Sequence, residues 1–395
     1  MNRDSPNRVH ALDNLRALAM FTGVLFHAAL AHSPMMERFY PAADRAQSPV
    51  IDILIWLPHQ FRMPLFFAVS GYFAALLVER DGFAGLLRNR LRRVAVPFIL
   101  LWPSTHLFMA WSTEYAAAVV AHPSQVLQFI HAAQAQGAAV SRLTTNHLWF
   151  LYYLLYFYAL LWIGITLTPS RWTAAVRCGN LTAARVAFVL IPVLTVGLIS
   201  VSTPFPAPDG LLPKLWALSF FGSFFALGYL ARSHMELLES CRVHAGTTLA
   251  IGLLAYAAFL NAIDSQAIVR TSYETTWLQA GCAAVVSVSM TLASLGWCQR
   301  LLSRESRLLR YFADTSFWLY VAHFPVLLTV QYALIDLDWG WPSKILVAVT
   351  TTVALCLSSF HWLTRSALAR RWLLGIDAKT AAQPNPINSK SARRI

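Results

Sequence analysis

Charge is scarce in this sequence: Asp, Glu, Lys and Arg make up 12% of its 395 residues, where a soluble domain carries about 25%. That shortage excludes an ordinary soluble globular chain. Acids are the scarcer sign, 18 against 31 basic residues. Sustained polar–apolar alternation is missing, which removes the argument for a transmembrane barrel. The cysteines are few and odd in number, Cys178, Cys241, Cys282, Cys298 and Cys356. They show no metal-ligand spacing and read as apolar fillers rather than a disulfide or zinc framework. No linker sets off a soluble catalytic domain, and no internal repeat supports an inverted-repeat transporter.

What the chain does have is apolar residues, 57% of the total, gathered in runs near the 20 residues that a membrane-spanning helix needs. Ten spans are expected, at about 12–32, 50–78, 94–113, 147–168, 186–202, 215–231, 245–262, 277–298, 312–335 and 343–364. The fold class is therefore all-α, a polytopic membrane bundle. Residues 1–370 form its transmembrane domain, and 371–395 a basic, disordered cytoplasmic tail. The loop at 114–146 has room for a short amphipathic or surface helix but not for an independent domain.

The net charge of +13 raises nucleic acid as a partner, but its distribution argues for topology instead. Placing the N-terminus in the cytoplasm puts 23 Lys/Arg on that side and six on the other, with Arg16 and Arg62 inside spans. This bias predicts N-in and C-in and an even number of spans. Ala29-Leu30-Ala31 imitates a signal-peptidase site, but the charge count works with the first span retained.

Ionisable residues inside spans are costly and count as functional candidates. In the first span, LDNLRALAMFTGVLFHAALAH, Arg16 and His27 are eleven residues apart. That is about three turns plus 20° and about 16 Å of rise, so both share a face. Asp13 lies three residues before Arg16 on the same face. Two readings stand for this trio: a structural Asp13–Arg16 pair with a satisfied core histidine, or a site that faces a cavity.

The second span carries Arg62 between Pro58 and Pro64, where a bend is expected. A buried guanidinium wants a carboxylate or phosphate, and the nearest in-span acid, Asp52, is ten residues away. A structural pair with another helix and an anion site are the alternatives. Ser70-Gly71 permits close approach of a helix or ligand.

Arg90 and Arg93, before the third span, share a helix face and suit phosphate groups. A flank that contacts lipid headgroups explains them as well. His147 and Trp149 open the fourth span near an interface, and His323 lies within the ninth. No acid-rich ligand set accompanies these histidines or His59, so an acid–base role is preferred to a metal.

Arg16 with His27, FFAVSGYF at 66–73, Arg90/Arg93 before Pro97, HLWFL at 147–151 and SFWLYVAHFP at 316–325 occur in that order. Together, over residues 10–365, they resemble the acyltransferase family 3 membrane proteins. The resemblance implies transfer of an acyl group from cytoplasmic acyl-coenzyme A to a sugar hydroxyl at the outer face of a bacterial inner membrane. FRMPLFFAVSGYF and NHLWFL are similar to the branch that moves succinyl to osmoregulated periplasmic glucan. Phe324 stands where that branch has a second histidine, which puts a paired-histidine role in doubt.

On this reading His27, Arg16 and Asp13 are catalytic and Arg90 and Arg93 hold the coenzyme. Arg62, Ser70, His147, Trp149 and His323 bind substrate, and no metal takes part. The co-substrate is succinyl- or acetyl-coenzyme A, and the partners are an envelope glycan and membrane lipid, not nucleic acid. Acetylation of another envelope glycan is the nearest alternative. A glycan or lipid flippase and a recruiting subunit of a glycan-synthesis complex are rivals of other classes.

Overall fold

The computed structural model describes residues 6–137, 143–167, 180–263, 275–304 and 306–375. Among the described residues there is no strand. The helices in chain order are α1 (Pro6–Leu30), α2 (Pro49–Arg90), α3 (Val96–Val119), α4 (Gln125–Ala135), α5 (Trp149–Leu167), α6 (Ala183–Leu198), α7 (Leu215–Ser233), α8 (Met235–Val243), α9 (Ala245–Ala262), α10 (Trp277–Leu301), α11 (Arg307–Leu334), α12 (Trp341–Leu363) and α13 (Ala367–Trp372). Each of the ten expected spans falls on a helix. Among the described residues, seven helical stretches are long and apolar enough to cross a membrane, one of which, Pro49–Val119, contains both α2 and α3. α1 is not among these seven, and α6 is shorter at 16 residues. The amphipathic helix expected in the 114–146 loop is α4, which buries Leu127 and Ile130.

α10 is the central helix. α2 packs on α7, α9 on α10, and α11 on both α1 and α12. The α2–α7 crossing is close because both helices offer glycine there. A Cβ on Gly71 would lie 2.0 Å from the Phe225 carbonyl oxygen, and one on Gly228 would lie 1.7 Å from that of Ala68. Gly71 thus serves helix approach, while its neighbour Ser70 faces the cavity described below.

The bend expected at Pro58 and Pro64 is not where α2 leaves helical geometry; that happens at Gly82 (φ 69°, ψ 177°). The reason is local satisfaction of the backbone. Pro64 has no N–H for the Gln60 carbonyl, and the Ser287 hydroxyl of α10 donates to that oxygen instead, at 2.8 Å. A five-residue π turn, Leu91–Ala95, joins α2 to α3, and such turns concentrate at functional sites.

The end of α1 shows the same accounting. The last four carbonyls of a helix lack intrahelical partners. Tyr40 donates to the His27 oxygen at 3.1 Å and Gln331 Nε2 to that of Ala28 at 3.0 Å. The amides of His32 and Ser33 take those of Ala29 and Leu30. The loop that follows is pinned to α12 by a buried ion pair, Lys344 Nζ to Asp44 Oδ2, at 2.6 Å. Cys241, Cys298 and Cys356 are buried free thiols and Cys282 is half-buried; Cys178, Arg142, Arg171, Arg177, Arg270 and the tail beyond 375 lie outside the described residues.

Candidate active site

A cavity of about 810 Å³ lies within the bundle between α1, α2, α5 and α11. Arg16, His27, Arg62, Ser70, Arg90, Arg93, His147, Trp149 and His323 all line it. Asp13 does not, and pairs with Arg16 at 3.5 Å. Its half-exposed geometry makes that contact a weak pair.

The four helices place the polar groups at two levels. Arg16 lies over Phe73 (5.9 Å to the ring centroid) and donates to the Ala313 carbonyl at 3.3 Å. Arg90 lies over Tyr158 at 5.2 Å. Arg93 belongs to the π turn, where a Cβ on Gly375 would be 2.8 Å from its Cα. These define the arginine end. About three helical turns away, roughly 16 Å, α1 presents His27, α2 Arg62, the 3-10 turn Asn146–Leu148 before α5 His147, and α11 His323. The His27 and His323 rings are 5.5 Å apart and those of His147 and His323 5.6 Å. Phe324 packs on both His27 (4.7 Å) and His147 (5.3 Å).

Sequence fixes the tautomers at this end. Pro325 frees the Val321 carbonyl, and His147 Nε2 donates to it at 2.9 Å. His147 Nδ1 therefore carries the lone pair, and it is buried without a partner. The Tyr320 hydroxyl donates to the His147 carbonyl, so α11 grips His147 at adjacent points. His323 Nδ1 donates to the carbonyls of Tyr320 (2.7 Å) and Leu319 (3.0 Å). That leaves the lone pair on its Nε2, also buried and unpartnered, like His27 Nδ1. A ring nitrogen that carries a lone pair can accept from a hydroxyl.

Arg62 is 7% exposed. It stands 4.4 Å from the Phe26 ring centroid and makes one long bond, 3.4 Å, to the Thr22 carbonyl. Among the described residues it forms no ion pair, and it is a buried cation that lines the cavity. Asp52, its nearest acid in sequence, bonds to Ser33 instead. The Nε atoms of Arg16 and Arg90 are likewise buried without partners. No group of three or more His, Cys, Asp or Glu among the described residues is arranged to hold a metal.

Two wall residues, Asn146 and Asp209, escape the sequence reading, and a third, His59, appears there only among the histidines weighed against a metal. His59 stacks on Phe26 and donates through Nε2 to the Phe205 carbonyl at 2.8 Å. Asn146 adopts a left-handed backbone (φ 47°), and its amide is held by His106 (3.0 Å) and Thr144 (2.9 Å). Asp209 reaches the cavity from the 199–214 loop. Burial raises its pKa more than its own backbone N–H and the charge of Lys214 lower it. The only signal for it is a lone acid in a proline-rich loop, TPFPAPDG.

The acyltransferase 3 family model, an acyltransferase domain, matches residues 9–361. Glucans biosynthesis protein C of Salmonella typhi is 26% identical over 333 residues, covering 81% of this chain and 83% of that protein. The protein of the same name from Salmonella typhimurium matches equally. No solved structure matches. An all-helical bundle with several membrane-length apolar helices, a cavity lined by the motif residues and a family match across nearly the whole chain lead to one conclusion: this chain belongs to the acyltransferase 3 family of multi-pass membrane proteins.

Proposed function

We propose that this protein transfers a succinyl group from cytoplasmic succinyl-coenzyme A to a hydroxyl of periplasmic glucan. One observation carries the reading: a single cavity has unpaired arginine atoms at one end and unpartnered imidazole lone pairs at the other. The first set suits phosphates and the second suits the hydroxyls of a sugar. The basic bias orients the arginine end toward the cytoplasm of a bacterial inner membrane, with N- and C-termini inside and ten spans.

Arg90, Arg93 and Arg16 hold the coenzyme phosphates, and the pantetheine arm lies along the cavity with its thioester at His27. His27 takes the proton from the attacking hydroxyl. A carbon–oxygen bond forms, the carbon–sulfur bond breaks, and the proton passes from the imidazolium to the departing coenzyme sulfur. His147 and His323 orient the sugar by accepting from its other hydroxyls, and Ser70 and Trp149 shape the wall. Arg62, beside His27 and lacking an acid of its own, pairs with the distal carboxylate of succinyl. That favours succinyl over acetyl.

The test is free-thiol release by the purified protein given succinyl-coenzyme A, acetyl-coenzyme A or neither, with and without a glucose oligomer. Glucan-stimulated release from succinyl-coenzyme A, lost in His27→Ala, is expected. No stimulated release from either donor refutes the reading; a preference for acetyl refutes the succinyl assignment alone.

A further inference from the structure

The loop between α6 and α7 is tied down along its length. The Thr203 and Thr275 hydroxyls lie 3.0 Å apart, and the Phe205 carbonyl receives His59. The Phe205 ring is buried 5.1 Å from that of Phe220. Thr145 donates to the Asp209 carbonyl oxygen twice, from its amide at 2.7 Å and its hydroxyl at 2.8 Å. Tyr152 donates to the Leu211 carbonyl at 2.6 Å, and the Lys214 amide to the Tyr153 hydroxyl at 2.9 Å. So many anchors make the loop a fixed wall of the cavity.

That wall presents one ionisable side chain to the cavity, Asp209. The other cavity acid, Asp314, belongs to the arginine end, next to Ala313 and Arg16. Asp209 forms no ion pair among the described residues. The bonds that fix its place use its backbone oxygen; its carboxylate meets its own backbone N–H and the charge of Lys214, which leaves further acceptor positions on its two oxygens. Thr145, which holds it, lies two residues from His147. Asp209 thus adds an acidic acceptor to the cavity that His147 and His323 also line, where a second coenzyme phosphate would be repelled and a neutral polyhydroxyl compound is favoured.

We propose that Asp209 is a specificity-determining residue that binds hydroxyls of the acceptor sugar and thereby selects a neutral glycan. The proposal rests on the acyl-transfer reading for the sugar's place in the cavity, but its test does not require turnover. Asp209→Asn is isosteric and keeps the backbone oxygen that Thr145 grips. Calorimetric binding of a glucose oligomer to the full-length protein should weaken about tenfold or more in Asp209→Asn, the value of a charge-assisted hydrogen bond. The acceptor KM should rise in step, while the KM for succinyl-coenzyme A moves less than twofold. Equal binding of the oligomer by wild type and Asp209→Asn, or no binding by wild type, overturns the proposal. Binding that is lost in Asp209→Asn, without thiol release by wild type, overturns acyl transfer and leaves Asp209 as a glycan ligand.

Discussion

At the scale of single residues, Arg62 is the sharpest point of the account. A buried unpaired guanidinium costs stability, and a chain keeps it for what it binds. Arg62→Met removes the charge and keeps much of the volume. It should leave stability unchanged or raise it by about 1 kcal/mol or more. The KM for succinyl-coenzyme A should rise about tenfold to a hundredfold, the worth of hydrogen bonds to a charged group, with little change for acetyl-coenzyme A. Thermal unfolding and donor kinetics on one preparation check both halves. The residue scale is also where the sequence was most and least informative. Arg16, His27, Arg62 and His323 were legible because the bilayer penalises them anywhere but a cavity. Asp209 was not, because an acid in a loop outside the spans carries no such penalty and only the fold brings it to the wall.

At the scale of elements, prolines act by freeing carbonyls rather than by bending helices. In α2 the freed oxygen is taken by Ser287. In α11 it is taken by His147, so a helix breaker in one element sets a tautomer in another. Pro325→Ala supplies an N–H that competes for the Val321 oxygen. Stability should rise, by up to the ~3 kcal/mol that separates proline from alanine in a helix. His147 then loses its fixed tautomer, and the acceptor KM should rise about tenfold. Unfolding and kinetics together distinguish this from simple damage, which lowers both.

A second element-level contact lies at the far end of α11. The Asp336 carboxylate accepts the amides of Ala121 (2.9 Å) and His122 (2.8 Å), joining the α3–α4 connection to α11. Burial alone would raise its pKa, but these amides and the His122 ring outweigh it and lower the value. A carboxyl depressed in the folded state contributes stability above its ordinary pKa, and that stability is lost as pH falls through the depressed value. Hydrogen exchange at Ala121 and His122, corrected for its intrinsic pH dependence, should therefore quicken on acidification below the usual carboxylate range. Asp336→Asn should show fast exchange at every pH.

At the scale of the whole molecule, the ten expected spans all fall on helices because apolar runs of that length have few other fates, but among the described residues seven helical stretches are long and apolar enough to cross a membrane. The sequence did not reveal how α2 would continue past 78 to Gly82 and the π turn, because that depends on packing against other helices. It also did not show that α1, α2, α5 and α11 border one cavity with Arg16, Arg90 and Arg93 at one end and the imidazoles with Arg62 at the other. Spacing placed Arg16 and His27 on a face; only the bundle gives that face its companions.

The proposed reaction needs the cavity to join the two faces of the membrane, and transfer across a sealed bilayer tests that most directly. Proteoliposomes holding a glucose oligomer inside receive labelled succinyl-coenzyme A outside. The account predicts label on the enclosed oligomer with wild type, and a loss of about a hundredfold or more with His27→Ala. Label appearing only on oligomer supplied on the same side as the donor, or undiminished transfer by His27→Ala, would contradict it.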